Sequence, residues 1–167
     1  RLMNFNESAM FHRGITPSQG AEYAIITGDP DRVESIAMLL DEPEFVARKR
    51  EYNTWAGKIS GKRVLVTSHG IGGPSTAICV EELARCGVHT IIRVGTCGGM
   101  SLDVLGGDLV IANAAIRQEG TTTEYLPIQF PAVSNFAVTS ALMEAAAETG
   151  KRVHVGVVQS KDSFYGQ

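Results

Sequence analysis

The chain has 167 residues, of which 44% are hydrophobic and 20% are charged, and its formal net charge is −3. This length predicts a single domain over residues 1–167, and the weak negative charge provides no overall basic field for nucleic acid or anionic lipid. The three cysteines show no C-x-x-C spacing, which predicts neither a disulfide framework nor a zinc site and fits a reducing cytoplasm. No apolar run is as long as a signal-peptide core or a membrane span, so we expect a soluble protein.

The chain begins its regular structure with a predicted strand-to-helix turn. The apolar run from Tyr23 to Thr27 predicts a strand, and Asp29 and Pro30 predict the start of a helix. Apolar residues with helical spacing then share one face of that helix: Val33, Ile36, Ala37 and Leu40. We expect the helix to stop at residues 41–43, where a second proline stands.

A hairpin and a second strand-to-helix unit follow. Residues 54–59 and 63–68 flank Ser60-Gly61-Lys62, which predicts a β-hairpin whose second arm is central in a sheet. Pro74 then opens a predicted helix that ends near Gly87.

The second half of the chain continues the alternation. Strands are predicted over residues 89–94, 108–115 and 153–158, and Ser134 is predicted to cap a helix that ends at Gly150. Strands that alternate with helices indicate an α/β fold with a largely parallel sheet covered by helices on both faces. Ligands of such folds bind beyond the carboxyl ends of the strands, which is where the glycine-rich loops of this chain are expected.

The loop after the first strand is a candidate anion site. Gly28 is flexible, a helix start at residues 29–31 offers free N–H groups, and Arg32 lies in the first turn of that helix. The alternative is a capped helix start with a solvent-exposed arginine.

A second candidate anion site lies at the end of the strand at residues 89–94. Arg93 is a charge in an otherwise apolar strand, and Gly95 and Thr96 follow it directly. A planar guanidinium beside a hydroxyl and a flexible backbone suits phosphate oxygens. The alternative is an arginine that pairs with a nearby Asp or Glu.

The glycines at residues 70–73 are not a dinucleotide fingerprint, because Ser75 stands where G-x-G-x-x-G requires its third glycine. A tight strand-to-helix turn explains these glycines, and close backbone approach to a ligand is the alternative.

Cys97 with His69 or His154 as its base would make the protein a cysteine hydrolase. A small side chain at a crowded turn explains Cys97 equally well.

The last residues of the chain are a candidate base pocket. Phe164 and Tyr165 offer aromatic faces, and Gln167 offers a carboxamide that could bind the edge of a planar heterocycle. An aromatic loop anchor is the alternative.

Six segments together resemble the nucleoside phosphorylase family that is built on one common α/β subunit, and most closely its members that act on uridine. The resemblance runs from Phe11 to Gln167. The segments that carry it are FHRGIT (11–16), GDPDR (28–32), REYNTW (50–55), GIGGPST (70–76), RVGT (93–96) and SFYGQ (163–167). The resemblance implies a three-layer α/β/α fold with a central mixed, largely parallel twisted sheet. It also implies a pentosyltransferase that catalyses reversible phosphorolysis of uridine to uracil and ribose 1-phosphate, without a cofactor.

The resemblance also implies roles for particular residues. Those that would bind the phosphate co-substrate are Gly28, Arg32, Arg93, Thr96 and, from a neighbouring subunit, Arg50. Arg32 and Arg93 would act directly in catalysis. Those that would contact the nucleoside are Thr96, Phe164, Gln167 and, from the neighbouring subunit, His12.

The family pattern makes a homodimer the catalytic unit, usually within a homohexamer. Some members hold a potassium ion at the dimer interface, at positions that match Glu51, Ile71 and Ser75.

The chain departs from the family pattern at its end. The family continues beyond the position of Gln167, with an arginine that helps to read uracil and a Met-Glu segment that grips the ribose, so a chain that stops there is expected to be nearly inactive. Tyr165-Gly166 lacks the proline that some members place between these residues. The alternative functions are a purine nucleoside phosphorylase, a nucleosidase that uses water, and a non-catalytic module that binds a nucleoside or phosphate. The arginines disfavour the nucleosidase.

Overall fold

The computed structural model describes residues 8–166. Their contacts form two compact units, of which the first ends at Thr96 and the second begins at Cys97. No helix within the described range is both long and apolar enough to cross a membrane. The single domain predicted over residues 1–167 stays a prediction, and each unit is described by itself.

The first unit is a five-stranded mixed sheet with two α-helices. Its elements, after a short 3-10 turn at Pro17–Gln19, are β1 (Tyr23–Thr27), α1 (Arg32–Ala37), β2 (Asp41–Lys49), β3 (Tyr52–Ile59), β4 (Lys62–Ser68), α2 (Gly73–Arg85) and β5 (Thr90–Arg93). The strand order is β2-β3-β4-β1-β5, in which β1 runs parallel to β4 and β5 and β3 runs antiparallel to β2 and β4.

The core of the first unit lies where α2 packs on the central strands. Cys79 and Leu83 of α2 are fully buried in one cluster with Ile26 of β1 and Leu65 of β4. Burying an aliphatic side chain of this size stabilises the fold by about 1.5–3 kcal/mol. The apolar face of α2 therefore fixes this helix against the sheet.

The parallel register aligns the carboxyl ends of three strands. Thr27 pairs with Ser68 across β1 and β4, and Ile26 pairs with Arg93 across β1 and β5. Gly28 and His69, which directly follow β1 and β4, therefore lie at the same sheet edge as Arg93.

The second unit is a three-stranded sheet with one α-helix. Its elements are β6 (Leu109–Gln118), a 3-10 turn at Thr122–Glu124, β7 (Ala132–Val133), α3 (Phe136–Glu148) and β8 (Val153–Lys161). The order is β7-β6-β8, with β6 parallel to β8 and antiparallel to β7.

Arg117 of β6 holds the loop that leads to β7. Its Nη1 atom donates to the carbonyl oxygens of Pro127 and Phe130, and its Nη2 atom donates to those of Thr122 and Leu126, all at 2.7–2.8 Å. Its Nε atom donates to Oγ1 of Thr122 at 2.9 Å. All three nitrogens of one guanidinium thus bind the segment at residues 119–131.

The predicted α/β class with parallel and antiparallel strands is confirmed, and so is the hairpin. Its turn is tighter than expected: Ser60 and Gly61 both have positive φ, at 50° and 76°, as a two-residue turn requires. Sequence patterns missed β2, whose side chains are mostly exposed and which lies at the sheet edge, where Pro43 is tolerated.

Two predicted helix ends were wrong. Helix α1 ends at Ala37, not at residue 40. Helix α3 is capped by Asn135, whose side chain accepts from the Val138 amide at 3.1 Å, and not by Ser134. The Ser134 hydroxyl instead bonds Thr139 and the carbonyl of Asn113.

Candidate functional site

Arg93 is the centre of the candidate site. It ends β5, and its guanidinium lies close to two glycines of the first unit. A Cβ placed on Gly28 would lie 3.9 Å from its Nη2 atom, and a Cβ placed on Gly95 would lie 2.8 Å from its Nη1 atom. The guanidinium therefore fills the space that a side chain at residue 95 would need, and it would just touch a side chain at residue 28.

His69 anchors this arginine. Nε of Arg93 donates to Nε2 of His69 at 3.1 Å, and Nδ1 of His69 lies 2.9 Å from the Thr76 hydroxyl. Burial, with a further contribution from the Arg93 charge, lowers the pKa of His69 to about 4. His69 is therefore neutral at neutral pH and can act as an acceptor.

The Arg93 partner differs from the alternative raised by the sequence. An arginine in an apolar strand was expected either to bind an anion or to pair with Asp or Glu. Its hydrogen-bond partner is instead a neutral imidazole, and no carboxylate within residues 8–96 forms a hydrogen bond or ion pair with Arg93. A positive charge without a carboxylate partner favours an anionic ligand.

The turn that follows Gly28 places Arg32 at the start of α1. The Arg32 Nε atom lies 3.6 Å from the Asp29 carboxylate, and both side chains are about half exposed. Asp29 also accepts from the backbone amide of Asp31 at 3.0 Å. An exposed pair of this kind contributes little to stability, so a phosphate could replace Asp29 as the partner of Arg32 at little cost.

Thr96 lies three residues after Arg93 and is exposed, at the last position of the first unit. Gly28 is also in contact with the next loop, because a Cβ there would lie 3.3 Å from the carbonyl oxygen of Gly70. The structure thus brings Gly28, Arg93 and the loop at residues 70–73 together. It adds His69, which the sequence had suggested only as a base for Cys97.

Arg50 and Glu51 form the turn between β2 and β3. Arg50 is exposed and has a positive φ of 55°. Ser75 donates its hydroxyl to Glu51 Oε1 at 3.1 Å and also to the carbonyl oxygen of His69. A hydrogen bond from its own backbone amide, together with the Ser75 hydroxyl, holds the pKa of Glu51 below its usual value despite partial burial. Two of the three residues matched to a cation site are therefore in direct contact.

Ile71, the third of those residues, has a side chain that is 97% exposed. Its side chain has no ligand atom, so only its backbone carbonyl could serve a cation. Within residues 8–166 no group of three or more His, Cys, Asp or Glu side chains could hold a metal ion.

His12 is held by Glu82 of α2. The Glu82 carboxylate lies 2.8 Å from Nδ1 of His12 and accepts from the backbone amides of His12 and Arg13, each at 3.0 Å. The Nδ1 atom of His12 is thus occupied, and about a third of the side chain remains exposed. Phe11, directly before it, is 70% exposed.

The aromatic residues near the end of the chain lie in the second unit. Phe164 and Tyr165 are 83% and 93% exposed, and their rings meet edge to face with centroids 5.1 Å apart. Gln167 lies outside the described residues.

The cysteine-hydrolase alternative finds no support in the described geometry. A base whose pKa is about 4 is too weak to activate a thiol at neutral pH, and Nε2 of His69 is already used by Arg93. Nε2 of His154 lies 2.8 Å from the Asp108 carboxylate, and within residues 97–166 no hydrogen bond joins this histidine to Cys97.

Comparisons with known proteins show which proteins this chain is similar to. Residues 22–167 match the family described as the phosphorylase superfamily. The chain is 48% identical to uridine phosphorylase of Escherichia coli over 162 residues, which is 96% of this chain and 64% of the relative. It is 51% identical to uridine phosphorylase of Treponema pallidum over 163 residues, with 98% and 63% covered.

A relative with a different name is similar at a lower level. The guanosine phosphorylase of Halorubrum lacusprofundi is 44% identical over 146 residues, which is 87% of this chain and 61% of the relative. The chain therefore spans less than two thirds of the length of these relatives. Because the family match covers most of the chain and includes the strand ends that carry Gly28, His69 and Arg93, the chain belongs to the phosphorylase superfamily.

Proposed function

We propose that the intact protein catalyses the reversible phosphorolysis of uridine to uracil and ribose 1-phosphate. The observation that carries this proposal is the Arg93 guanidinium, which lies close to Gly28 and Gly95 and has no carboxylate partner among residues 8–166. The identities of 48% and 51% to proteins named uridine phosphorylase support the choice of uridine.

The phosphate co-substrate would lie at the sheet edge formed by β1, β4 and β5. Gly28 would offer its backbone amide, Arg93 its Nη1 and Nη2 atoms, and Thr96 its hydroxyl. Arg32 would exchange its exposed pair with Asp29 for a phosphate oxygen. A planar guanidinium can hold two oxygens at once, which fixes the orientation of the attacking phosphate.

Phosphorolysis needs no protein nucleophile, because phosphate itself attacks C1′ while the glycosidic bond breaks. Fixing the attacking group can remove up to about 7–11 kcal/mol of the barrier. Uracil departs with negative charge, and donors that bind it are each worth about 10²–10³ in rate. We assign the base contacts to Phe164 and Gln167 and the ribose contact to Thr96, with no cofactor beyond inorganic phosphate.

The catalytic unit we propose is a homodimer, assembled into a homohexamer, in which Arg50 and His12 act in the partner's site. The Glu82 carboxylate supports this role of His12, because it holds Nδ1 at 2.8 Å and leaves Nε2 for a hydroxyl of the ribose. The exposed Phe11 ring beside His12 adds apolar surface of the kind that interfaces bury.

We also propose a potassium ion at Glu51, Ser75 and the backbone carbonyl of Ile71. The Glu51 carboxylate and the Ser75 hydroxyl are 3.1 Å apart, and the lowered pKa of Glu51 keeps the carboxylate charged. Oxygen donors of this type suit a hard cation. Bound there, the ion would tie the turn at Arg50 to the loop before α2.

The last part of this proposal is a cytoplasmic location, which fits three cysteines that are all free thiols.

A purine nucleoside phosphorylase is the second candidate, and the 44% identity to a guanosine phosphorylase favours it. Phosphate would bind as proposed for uridine, and only the base contacts would differ. The two candidates are therefore separated by the nucleoside and not by the phosphate dependence.

The test is release of the free base from uridine, inosine and guanosine by the intact protein, with and without phosphate. We expect phosphate-dependent release from uridine alone. Arg93→Ala should lower the rate on the order of 10²–10³-fold. Arg63→Ala is the matched control, because Arg63 lies near the opposite end of the same sheet and pairs with Glu44. Release without phosphate, or an undiminished rate for Arg93→Ala, would refute the proposal, and release from purine nucleosides would select the second candidate.

A further inference from the structure

A chain of hydrogen bonds links Arg93 to the loop before α2. Nε of Arg93 donates to Nε2 of His69 at 3.1 Å, and Nδ1 of His69 lies 2.9 Å from Oγ1 of Thr76. Oγ1 of Thr76 donates to the carbonyl oxygen of Gly72 at 2.8 Å. Four residues from β5, the end of β4 and the start of α2 are thereby joined.

Only one placement of the protons satisfies this chain. Arginine nitrogens only donate, so Nε2 of His69 must be an acceptor without a proton. The proton of the neutral imidazole is therefore on Nδ1, which donates to Thr76 Oγ1. The Thr76 hydroxyl keeps its own proton for the Gly72 carbonyl, so every group in the chain has a suitable partner.

The backbone of His69 is fixed as firmly as its ring. Its amide donates to the carbonyl oxygen of Thr27 at 2.9 Å, and its carbonyl oxygen accepts from the Ser75 hydroxyl. The residue is buried, with 3% of its surface exposed. A buried, doubly bonded imidazole has one orientation and can define the orientation of whatever it binds.

The bond to His69 decides which edge of Arg93 is open. A guanidinium can bind an oxyanion in two forked ways, either through Nε and one Nη or through both Nη atoms. His69 occupies Nε, so the Nη1 and Nη2 edge remains, next to Gly28 and Gly95. We infer that His69 is a positioning residue of the phosphate site, which turns the Nη edge of Arg93 toward the phosphate by accepting from Nε in a single tautomer. This inference rests on the phosphate role proposed for Arg93.

The test compares two amide substitutions in the intact protein. In His69→Gln the amide oxygen can reach the position of Nε2, whereas in His69→Asn it reaches only the position of Nδ1. Binding of inorganic phosphate is measured by calorimetry, and the KM values for phosphate and for uridine are measured separately. His89→Gln is the control, because His89 is a histidine at the amino end of β5 that bonds Thr90 and not Arg93.

We expect His69→Asn to weaken phosphate binding and raise the KM for phosphate by on the order of 10- to 100-fold, because a misplaced guanidinium loses its aligned contacts. The KM for uridine should stay within about twofold, and His69→Gln should restore phosphate binding to within about threefold, because it restores the acceptor. The inference would be overturned if the Asn variant, the Gln variant and the unmodified protein bound phosphate equally well. It would also be overturned if His69→Asn raised the KM values for phosphate and for uridine by the same factor.

Two further measurements keep the outcomes distinct. Arg93→Ala must abolish phosphate binding, and if it does not, the proposed phosphate site itself is refuted. If Arg93→Ala abolishes phosphate binding but His69→Asn binds phosphate normally, only the role of His69 is refuted. If His69→Asn does not fold, ¹⁵N NMR of the unmodified protein decides. A protonated Nδ1 and an unprotonated Nε2 on His69 are expected, and the opposite tautomer would overturn the inference.

Discussion

The Arg93 guanidinium donates from Nε to Nε2 of His69 at 3.1 Å, although the two residues are 24 positions apart in the chain. One is the last residue of β5 and the other is the first residue after β4. The bond requires a neutral histidine, and burial together with the charge of Arg93 keeps it neutral. The hydrogen-bond partner of this charged side chain thus carries no charge.

The lowered pKa of His69 predicts a pH dependence of stability. In the unfolded chain the histidine binds its proton near pH 6.5, whereas in the folded protein it does so at about pH 4. Between these values the unfolded state holds more protons, so the free energy of unfolding should fall as the pH is lowered from about 6.5 to about 4, by up to about 3 kcal/mol. Urea denaturation across this range measures the loss. His69→Gln should remove that part of the slope, and an unchanged slope in this variant would contradict the assignment.

Gly95→Ala should impair phosphate binding without unfolding the protein. The new methyl group would lie 2.8 Å from Nη1 of Arg93, and the guanidinium, as the end of a flexible side chain, would move away. We expect a loss of phosphate affinity on the order of 10-fold or more. The change in the free energy of unfolding should be below about 1 kcal/mol. Gly98→Ala is the matched control, because a methyl group there meets nothing within 4 Å, and similar affinities for the two variants would contradict the prediction.

Arg13 should be replaceable by an apolar side chain of similar length. It is fully buried, and its guanidinium donates to Thr54, Thr67 and the Cys79 sulfur, with no carboxylate in ion-pair distance among residues 8–166. Its Nε atom has no hydrogen bond. The two threonine hydroxyls also bond each other at 3.0 Å, so neither loses its last partner when the arginine is removed.

We therefore expect Arg13→Met to change the free energy of unfolding by less than about 1 kcal/mol, whereas Arg13→Ala should cost about 3 kcal/mol through the cavity it leaves. Chemical denaturation of both variants provides the comparison. If Met proves as damaging as Ala, the buried charge itself stabilises this core.

Arg117 should control the order of the loop at residues 119–131. Its guanidinium binds four carbonyl oxygens and one hydroxyl of that loop. A lysine has one nitrogen and cannot replace a fork of this kind, so Arg117→Lys should expose the loop nearly as much as Arg117→Leu. Amide hydrogen exchange over residues 119–131 should accelerate in both variants and stay unchanged in Lys151→Ala, whose lysine is exposed in the same unit. Slow exchange in Arg117→Lys would show that charge alone is sufficient.

The sequence by itself determined the features that depend on local spacing. Apolar periodicity and turn residues predicted β1, the β3–β4 hairpin, α2, α3 and β8, and they indicated an α/β fold. An arginine at the end of an apolar strand and glycines after the strands pointed to one edge of the sheet, where the structure brings Gly28 and Arg93 close together. Strand β2 was missed because its mostly exposed side chains carry no period that distinguishes it from a loop.

Only the tertiary structure decided which strand ends are neighbours and which side chains meet there. The order β4-β1-β5 places Gly28 between His69 and Arg93, and the parallel register brings their ends level. The position of His69 after a strand does not predict its protonation state or its hydrogen-bond partner. Both depend on burial and on Arg93, which comes from a strand that does not follow directly in the chain. The burial of Arg13 belongs to the same class: its three partners come from β3, β4 and α2, and local periodicity carries no information about them.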